Sequence, residues 1–409
     1  MTDFSAALQR LYQLKARPKQ LGLDRVRAVC DKLGNPERSF EAVHVAGTNG
    51  KGSVCAFVAS MARAAGKNIG MYTSPHLVKL AERIQVGGAP IDDNELARAV
   101  NTVLDIDPEL TFFEAMTTAA FLVFRDAGVE LAVVEVGLGG RLDATNVIPP
   151  PRVAVITRVA FDHMPELGNS LAEISAEKAG IIKENVAVVL GKLHPDARDV
   201  AMDRIEQVGA RLVPLGSPEP IAGAPLAYPR MAMIGTNLAV AVTAARELGI
   251  APEAMANGVE ATVWPGRNEL LHRNGQELTL LDCAHNPDGA VALSHVIDPS
   301  VLGEIESRRD VALVFGTLTS KNWRAMLQRL DHVAAHRVFV APPVGSAADP
   351  KEMAEIAGGE TADTVTEALG RARSLVGPRG VVVVTGSAFL VGAARASLLG
   401  LQTDPAIDS

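Results

Sequence analysis

The chain has 409 residues, 48 % hydrophobic and 21 % charged, with a formal net charge of −8. Its length exceeds the roughly 250 to 300 residues at which one hydrophobic core stops growing, so two domains are expected, and the composition excludes a disordered chain. The acidic balance argues against a broad nucleic-acid surface, which needs clustered Lys and Arg to displace counterions from phosphates.

In chain order, the N-terminus MTDFSAALQRLYQL carries acidic and polar residues where a secretory signal has a basic stretch and an apolar core, and no later stretch reaches about 18 apolar residues. A cytoplasmic protein that does not engage a membrane is expected. Cys30, Cys55 and Cys283 lack the spacing of a disulfide framework or zinc site and read as small buried hydrophobes.

The first β-branched run, AVHVAG at 42–47, leads into Gly47-Thr48-Asn49-Gly50-Lys51-Gly52-Ser53, which opens a helical pattern over 53–65. Strand, glycine loop and helix in that order make a phosphate cradle. Backbone amides and the helix N-terminus face phosphate oxygens, Lys51 reaches the terminal phosphates, and the Ser53 hydroxyl is placed to meet Mg²⁺. The spacing is shorter than G-x-x-x-x-G-K-[ST], and Gly52 intervenes between Lys51 and Ser53. A Gly-rich turn without a ligand is the competing explanation, but it requires neither the lysine nor the hydroxyl. Ser74, in MYTSPHL, reads by itself as a turn residue before Pro75.

After a helical pattern over 114–126, LAVVEVG at 131–137 puts Glu135 near the C-terminal end of a buried strand, the edge where open α/β sheets bind ligands. A carboxylate there needs Mg²⁺ or a structural ion pair. VAVIT at 153–157 then delivers Asp162 and His163 to the same edge, His163 alone reading as a capping or core histidine. A further strand pattern, VAVVLG at 186–191, precedes a Pro, Gly and Ala-rich stretch over 214–230, a helical pattern over 237–248, and WPGR at 264–267. The strand patterns beyond it, LTLLD (278–282), VALVFG (311–316), RVFVAP (337–342) and VVVVTG (381–386), form a self-sufficient set, so the boundary is placed at WPGR, dividing 1–266 from 267–409. Runs apolar on both faces, with helices between them, define an α/β protein whose parallel sheets are covered on both sides.

Taken together, HVAGTNGKGS, TSPHL, EVGLGGRLDATN, DH, EKAGI, PGR, DCAHNP and TGS, in that order between about Leu21 and Val391, resemble the folylpolyglutamate synthase and dihydrofolate synthase family, a branch of the Mur-ligase-like ATP-dependent ligases. The resemblance implies a Mur-ligase-like α/β fold, with a P-loop ATP- and folate-binding domain over 1–266 and a smaller glutamate-binding α/β domain over 267–409. It implies ATP held by Thr48, Asn49, Gly50, Lys51, Gly52 and Ser53, with Asn237, Arg267 and Asp282 at the nucleotide's other end. Ser74, Glu135 and His163 match Mg²⁺ ligands, Ser53 and Lys178 complete two expected metal sites, and a monovalent cation is a further candidate cofactor.

Lys51, Lys178 and His285 are the implied catalytic residues. Lys178, in SAEKAGI, is implied to be carbamylated by CO2, whereas its local sequence fits equally a helix-surface lysine paired with Glu177. His285 and Asn286 belong to the loop expected to present glutamate, with Ser387 of TGSAF at the same end. The pterin end is implied at Leu21, Gly22 and Leu23, at Thr111, Phe112, Phe113 and Glu114, and at Leu142, Asp143 and Ala144. In an extended LTFFE segment only one phenylalanine could face a ligand. Met164, Pro165, Cys283 and Asn322 stand where relatives usually carry other residues. These departures leave the ATP and metal set intact and touch the acceptor and glutamate ends.

The activity implied is ATP-dependent ligation of L-glutamate to dihydropteroate and to the γ-carboxyl of folates through an acyl phosphate, releasing ADP and phosphate. Its partners are small molecules and no nucleic acid, and a monomer is expected. Two further readings remain: a peptidoglycan-precursor ligase, against which TSPHL and EVGLGGRLDATN speak, and a nucleotide-binding regulator without catalysis, against which Lys51, Glu135, His163 and Lys178 speak.

Overall fold

The computed structural model describes residues 3–14, 22–216, 231–272, 278–297 and 310–405. The first sheet is built from β1 (Glu41–Ala46), β2 (Ile69–Tyr72), β3 (Ile84–Val86), β4 (Ala89–Pro90), β5 (Leu131–Glu135), β6 (Val153–Ile156), β7 (Ala187–Leu190) and β8 (Arg211–Val213). Their spatial order is β4-β3-β2-β5-β1-β6-β7-β8, parallel from β2 through β8, with β3 and β4 added antiparallel at one edge.

Successive residues of β1 serve opposite faces, as a pleated strand requires. Val43 and Val45 pack with the helices Lys51–Ala64, Met231–Glu247 and Pro252–Glu260, whereas Ala42 joins the core made with Asp3–Gln13, Asp93–Ile106 and Phe112–Asp126. The second sheet contains β9 (Glu269–His272), β10 (Leu278–Leu281), β11 (Val311–Phe315), β12 (His336–Val340), β13 (Glu360–Ala362) and β14 (Val381–Thr385), in the order β13-β12-β11-β14-β10-β9. Only β9 runs antiparallel, against β10, and a core lies on each face. Both sheets are therefore mixed, where the runs suggested parallel ones.

The LTFFE segment is helical. Thr111 caps the helix Phe112–Asp126, its hydroxyl accepting from the Glu114 amide at 3.3 Å while the Glu114 carboxylate accepts from the Thr111 amide at 2.7 Å. This reciprocal cap corrects the extended geometry considered for Phe112 and Phe113 and gives Thr111 and Glu114 a structural task.

The second sheet's body closes on the first at helix Ala388–Leu399. A Cβ added at Gly392 would lie 2.0 Å from the Leu77 carbonyl oxygen, so only glycine permits this approach. Gly392→Ala is expected to lower the urea midpoint by an amount equivalent to roughly 1–3 kcal/mol, because the backbone overlap outweighs alanine's helix preference of about 1 kcal/mol. A raised midpoint would contradict that account.

Candidate active site

A cavity of about 340 Å³ opens where the carboxyl ends of β1 and β5 meet the loop after β10. It is lined by Thr48 through Ser53, Ser74, Glu135, His163, Asn237, Trp264, Arg267, Asp282 and His285, so the residues expected to hold ATP and the first metal gather around one cavity.

The glycine loop is shaped by what must approach it. Gly50 caps the helix Lys51–Ala64 with φ 88°, and a Cβ there would stand 2.4 Å from Asn237 Oδ1. A Cβ on Gly52 would stand 2.8 Å from the Trp264 ring, which gives the glycine between Lys51 and Ser53 a steric reason. The Thr48 hydroxyl donates to the Ala160 carbonyl and accepts from the Ala160 amide, both at 3.0 Å. Asn49 and Asn286 exchange amide hydrogen bonds of 3.0 Å, and Asn49 also donates to Asp288 at 2.8 Å.

Glu135 is buried, accepts from the Ser74 amide at 2.9 Å, and lies 3.9 Å from Lys51 Nζ. Burial pushes its carboxyl pKa up, opposed by Lys51, the Ser74 amide, Arg267 and Arg83. The lysine is too far for a hydrogen bond, so the carboxylate keeps acceptor capacity at the cavity wall. Carboxylate and hydroxyl oxygens suit a hard divalent cation. Among the described residues no three His, Cys, Asp or Glu side chains cluster as a metal site, so a cation beside Ser74, Glu135 and His163 would draw its other ligands from nucleotide and water.

Asp162 joins the two sheets. Lys321 Nζ meets its Oδ1 at 2.6 Å, while Asn286 Nδ2 and His285 Nε2 lie 3.2 and 3.3 Å from Oδ2. Burial alone would raise its pKa, yet His285, Lys321 and His163 hold it well below the usual carboxylate range. Arg158 Nε adds contacts of 2.6 and 2.7 Å to Asp288 across the same junction. Lys321, Asp288, Arg158 and Trp264 were not singled out from the sequence as site residues, and Asp162 was noted without a partner.

Lys178 is buried, 4 % exposed, and donates to the Gly47 carbonyl at 3.0 Å. Glu177 instead meets Arg141 at 2.8 Å, which overturns the surface-pair alternative. Burial first, and then the Lys51 charge, push the Lys178 pKa down to about 7. A smaller cavity places it with Thr48, Lys51, Asp162, His163 and His285.

The expected acceptor residues lie elsewhere. Phe113 backs onto Gly137, where a Cβ would fall 2.3 Å from its ring, and pairs with Tyr72 at 6.0 Å. Phe112 packs on Tyr12 at 5.7 Å and under Arg83 at 5.2 Å. Asp143 caps the turn Ala144–Val147, Leu142 is half-buried, and Ala144 is buried. Gly22 and Leu23 are half-buried ahead of the helix Asp24–Lys32, and Leu21 lies outside the described residues. Asp282 lines the main cavity although its oxygens already accept from the Asn268 and Ala284 amides at 3.0 and 2.9 Å. Ser387 does not line that cavity, and its hydroxyl caps a helix by accepting from the Leu390 amide at 3.1 Å. Cys30, Cys55 and Cys283 are buried and unbridged, as expected of small core residues.

Residues 45–194 match the Mur ligase middle domain, and residues 266–388 match the Mur ligase, glutamate ligase domain. The dihydrofolate synthase/folylpolyglutamate synthase of Bacillus subtilis is 33 % identical over 416 residues, spanning 92 % of this chain and 95 % of the relative. Folylpolyglutamate synthase of Mycobacterium tuberculosis complexed with ADP superposes with a TM-score of 0.87 at 30 % identity, covering 98 % of this chain and 100 % of that one. The bifunctional folylpolyglutamate synthase/dihydrofolate synthase of Yersinia pestis, complexed with AMPPNP and a Mn ion, gives a TM-score of 0.83 at 29 % identity, covering 97 % and 98 %. Fold and family match thus define an ATP-dependent ligase of the Mur type, with a large nucleotide-binding α/β domain followed by a C-terminal α/β domain. Within that class, the chain belongs to the dihydrofolate synthase/folylpolyglutamate synthase family.

Between about pH 7 and the ordinary lysine value of 10.5, unfolded Lys178 holds a proton that the folded protein releases, so stability rises with pH across that window. Lys178→Met lacks this slope. In CO2-free buffer its melting temperature should gain on wild type as pH is lowered from about 9 to about 7; a constant difference would contradict the neutral buried amine.

Proposed function

We propose that this enzyme joins L-glutamate to dihydropteroate, giving dihydrofolate, and to the γ-carboxyl of folates, with ATP converted to ADP and phosphate. The observation that carries the proposal is the convergence of Lys51, Glu135, His163, Lys178 and His285 at the head of one phosphate loop, from elements of both sheets. Of the residues expected at the pterin end, Phe113 packs against Gly137, two positions after Glu135. Two separate sheets support a division into an ATP- and folate-binding domain over 1–266 and a glutamate-binding domain over 267–409. Three buried, unbridged thiols support a cytoplasmic setting.

A carboxylate does not condense with an amine unaided, because oxide is too poor a leaving group. In the proposed reaction a carboxylate oxygen of the acceptor attacks the γ-phosphorus of ATP, the bond to the bridging oxygen breaks, and ADP leaves. The neutral glutamate amine then attacks the acyl carbon, phosphate departs, and the amine's proton is lost. Lys51 and the amides of the helix N-terminus stabilise charge on the transferred phosphoryl group. Asn49, Asn286, Asp162 and Lys321 hold the two sheets together over the reacting atoms, restricting water and bringing the amine into line. Bound Mg²⁺, held by Ser53, Ser74, Glu135 and His163, with Lys178 near a second ion, would neutralise phosphate charge. The low pKa of Lys178 supplies the free amine needed for carbamylation, in which its nitrogen bonds to CO2 carbon and releases a proton.

Purified protein is to be assayed with ATP, glutamate and either dihydropteroate or tetrahydrofolate. Amide product is expected from both acceptors, and none from the first would remove the synthase activity. Lys51→Ala should reduce turnover by at least about 100-fold, the scale of a lost transition-state electrostatic contact. Lys178→Ala should also be crippled, with partial recovery on adding short carboxylic acids; wild-type turnover in that variant would end the carbamate proposal.

A further inference from the structure

His44 takes no part in the chemistry above, yet it is completely buried in the middle of β1, where a hydrophobic side chain would fill the space without desolvating an imidazole. Its Nε2 lies 2.8 Å from the Thr145 hydroxyl, and its Nδ1 is buried without a hydrogen-bond partner among the described residues. The Thr145 hydroxyl in turn lies 2.5 Å from Asp143 Oδ1. That carboxylate accepts at both oxygens, Oδ1 also taking the Thr145 amide at 3.0 Å and Oδ2 the Leu138 amide at 2.8 Å.

Burial pushes the Asp143 carboxyl pKa up, opposed by the Thr145 hydroxyl and the Leu138 and Thr145 amides; with Asp143 ionised, this chain has one consistent assignment of protons. The carboxylate only accepts, so the single Thr145 hydroxyl proton points to Asp143, and the oxygen's lone pair must receive a proton from His44 Nε2. His44 is therefore a neutral imidazole protonated at Nε2, with its bare Nδ1 in the apolar core. Burial, with a smaller contribution from Lys183, pushes its pKa well below the ordinary value in agreement with that form. The chain ends on the glycine loop after β5: Asp143 ties down Leu138, and Gly137 beside it presses on the Phe113 ring.

We propose that His44 is a positioning residue for the acceptor substrate, its Nε2 proton orienting Thr145 and through it the Asp143 carboxylate and the 137–143 loop against which a pterin-bearing acid binds. The proposal rests on the placement of the acceptor beside Phe113 and Asp143 made above. It assigns distinct work to the two ends of the cavity wall: the phosphate loop, which follows His44 on the same strand, meets the nucleotide, while His44 itself serves the acceptor.

Steady-state kinetics on the full chain, with ATP, glutamate and dihydropteroate varied in turn, test it. Thr145→Val keeps the shape of threonine and removes the hydroxyl. It should raise the KM for dihydropteroate about tenfold, the scale of a buried hydrogen bond lost with its partners left unpaired, while the KM for ATP stays within about twofold. Thr145→Ser should restore wild-type values, and His44→Gln, whose amide can still donate, should lie closer to wild type than His44→Leu. Equal rises in all the KM values, a change in melting temperature alone, or failure of serine to rescue would overturn the positioning role. If Thr145→Val does not fold, the comparison of His44→Gln with His44→Leu decides in the same way.

A second measurement is independent of activity. Imidazole ¹⁵N–¹H spectra of the wild-type protein, with the His44 signal identified by its loss in His44→Gln, should show a protected Nε2–H and a bare Nδ1. A proton on Nδ1 instead would overturn the hydrogen-bond chain. If wild type forms no amide from dihydropteroate or folate, the acceptor role falls with the functional reading, whereas the chain itself stands or falls on the spectra.

Discussion

Lys321 and Asp162, 2.6 Å apart, come from opposite sheets and meet above the phosphate loop. Both side chains are largely withdrawn from water, at 12 % and 9 % exposure, so each depends on the other to offset its desolvation. Asp162 also faces His285 and Asn286, and Asn286 reaches Asn49 in the loop itself. One carboxylate thereby fixes the distance between the nucleotide wall and the loop expected to present the amine. An enzyme that joins two substrates through an activated acyl group needs that distance held, since alignment of the reacting atoms accounts for much of the rate.

The ionisable groups around this junction are pushed in opposite directions for physically separate reasons. Glu135 is raised by burial, Lys178 is lowered by burial and by Lys51, and Asp162 is held low by the His285 hydrogen bond and the Lys321 charge, which outweigh its burial. The Lys51 charge adds to burial in lowering Lys178, which lies deeper in the protein and so gains the reactivity of a free amine. Burial depth, more than residue type, separates their roles.

The parts legible in the sequence were those whose physics is local. Runs apolar on both faces located β1, β5, β6, β7, β10, β11, β12 and β14 within a residue or two, because strands at the middle of a covered sheet have no polar face. The strands β3, β4, β8 and β13 are only two or three residues long, and β9 pairs antiparallel, so neither run length nor parallel patterning marked them. LTFFE was ambiguous because two adjacent phenylalanines suit a strand as well as a helix, whereas the deciding signal was the Thr111 and Glu114 cap four residues wide. The Asp162 contacts span 124 and 159 positions in sequence, and no local pattern reports them. The family resemblance brought Lys178 to notice, but only the fold shows why this lysine is unlike a surface one.

Gly52 illustrates the same division at a single atom. As a motif, the glycine between Lys51 and Ser53 is an irregularity that weakens a generic phosphate-loop match. In the fold, its missing Cβ is the space occupied by the Trp264 ring, and the missing Cβ of Gly50 is the space occupied by the Asn237 amide. Trp264 belongs to WPGR, whose Arg267 lines the same cavity two residues before β9 begins the second sheet. The loop is therefore bare on its outer side so that the connection to the second sheet can rest on it. A side chain larger than hydrogen at position 52 would push away the segment that carries Arg267, and the nucleotide cavity would lose its far wall together with its fit to the loop.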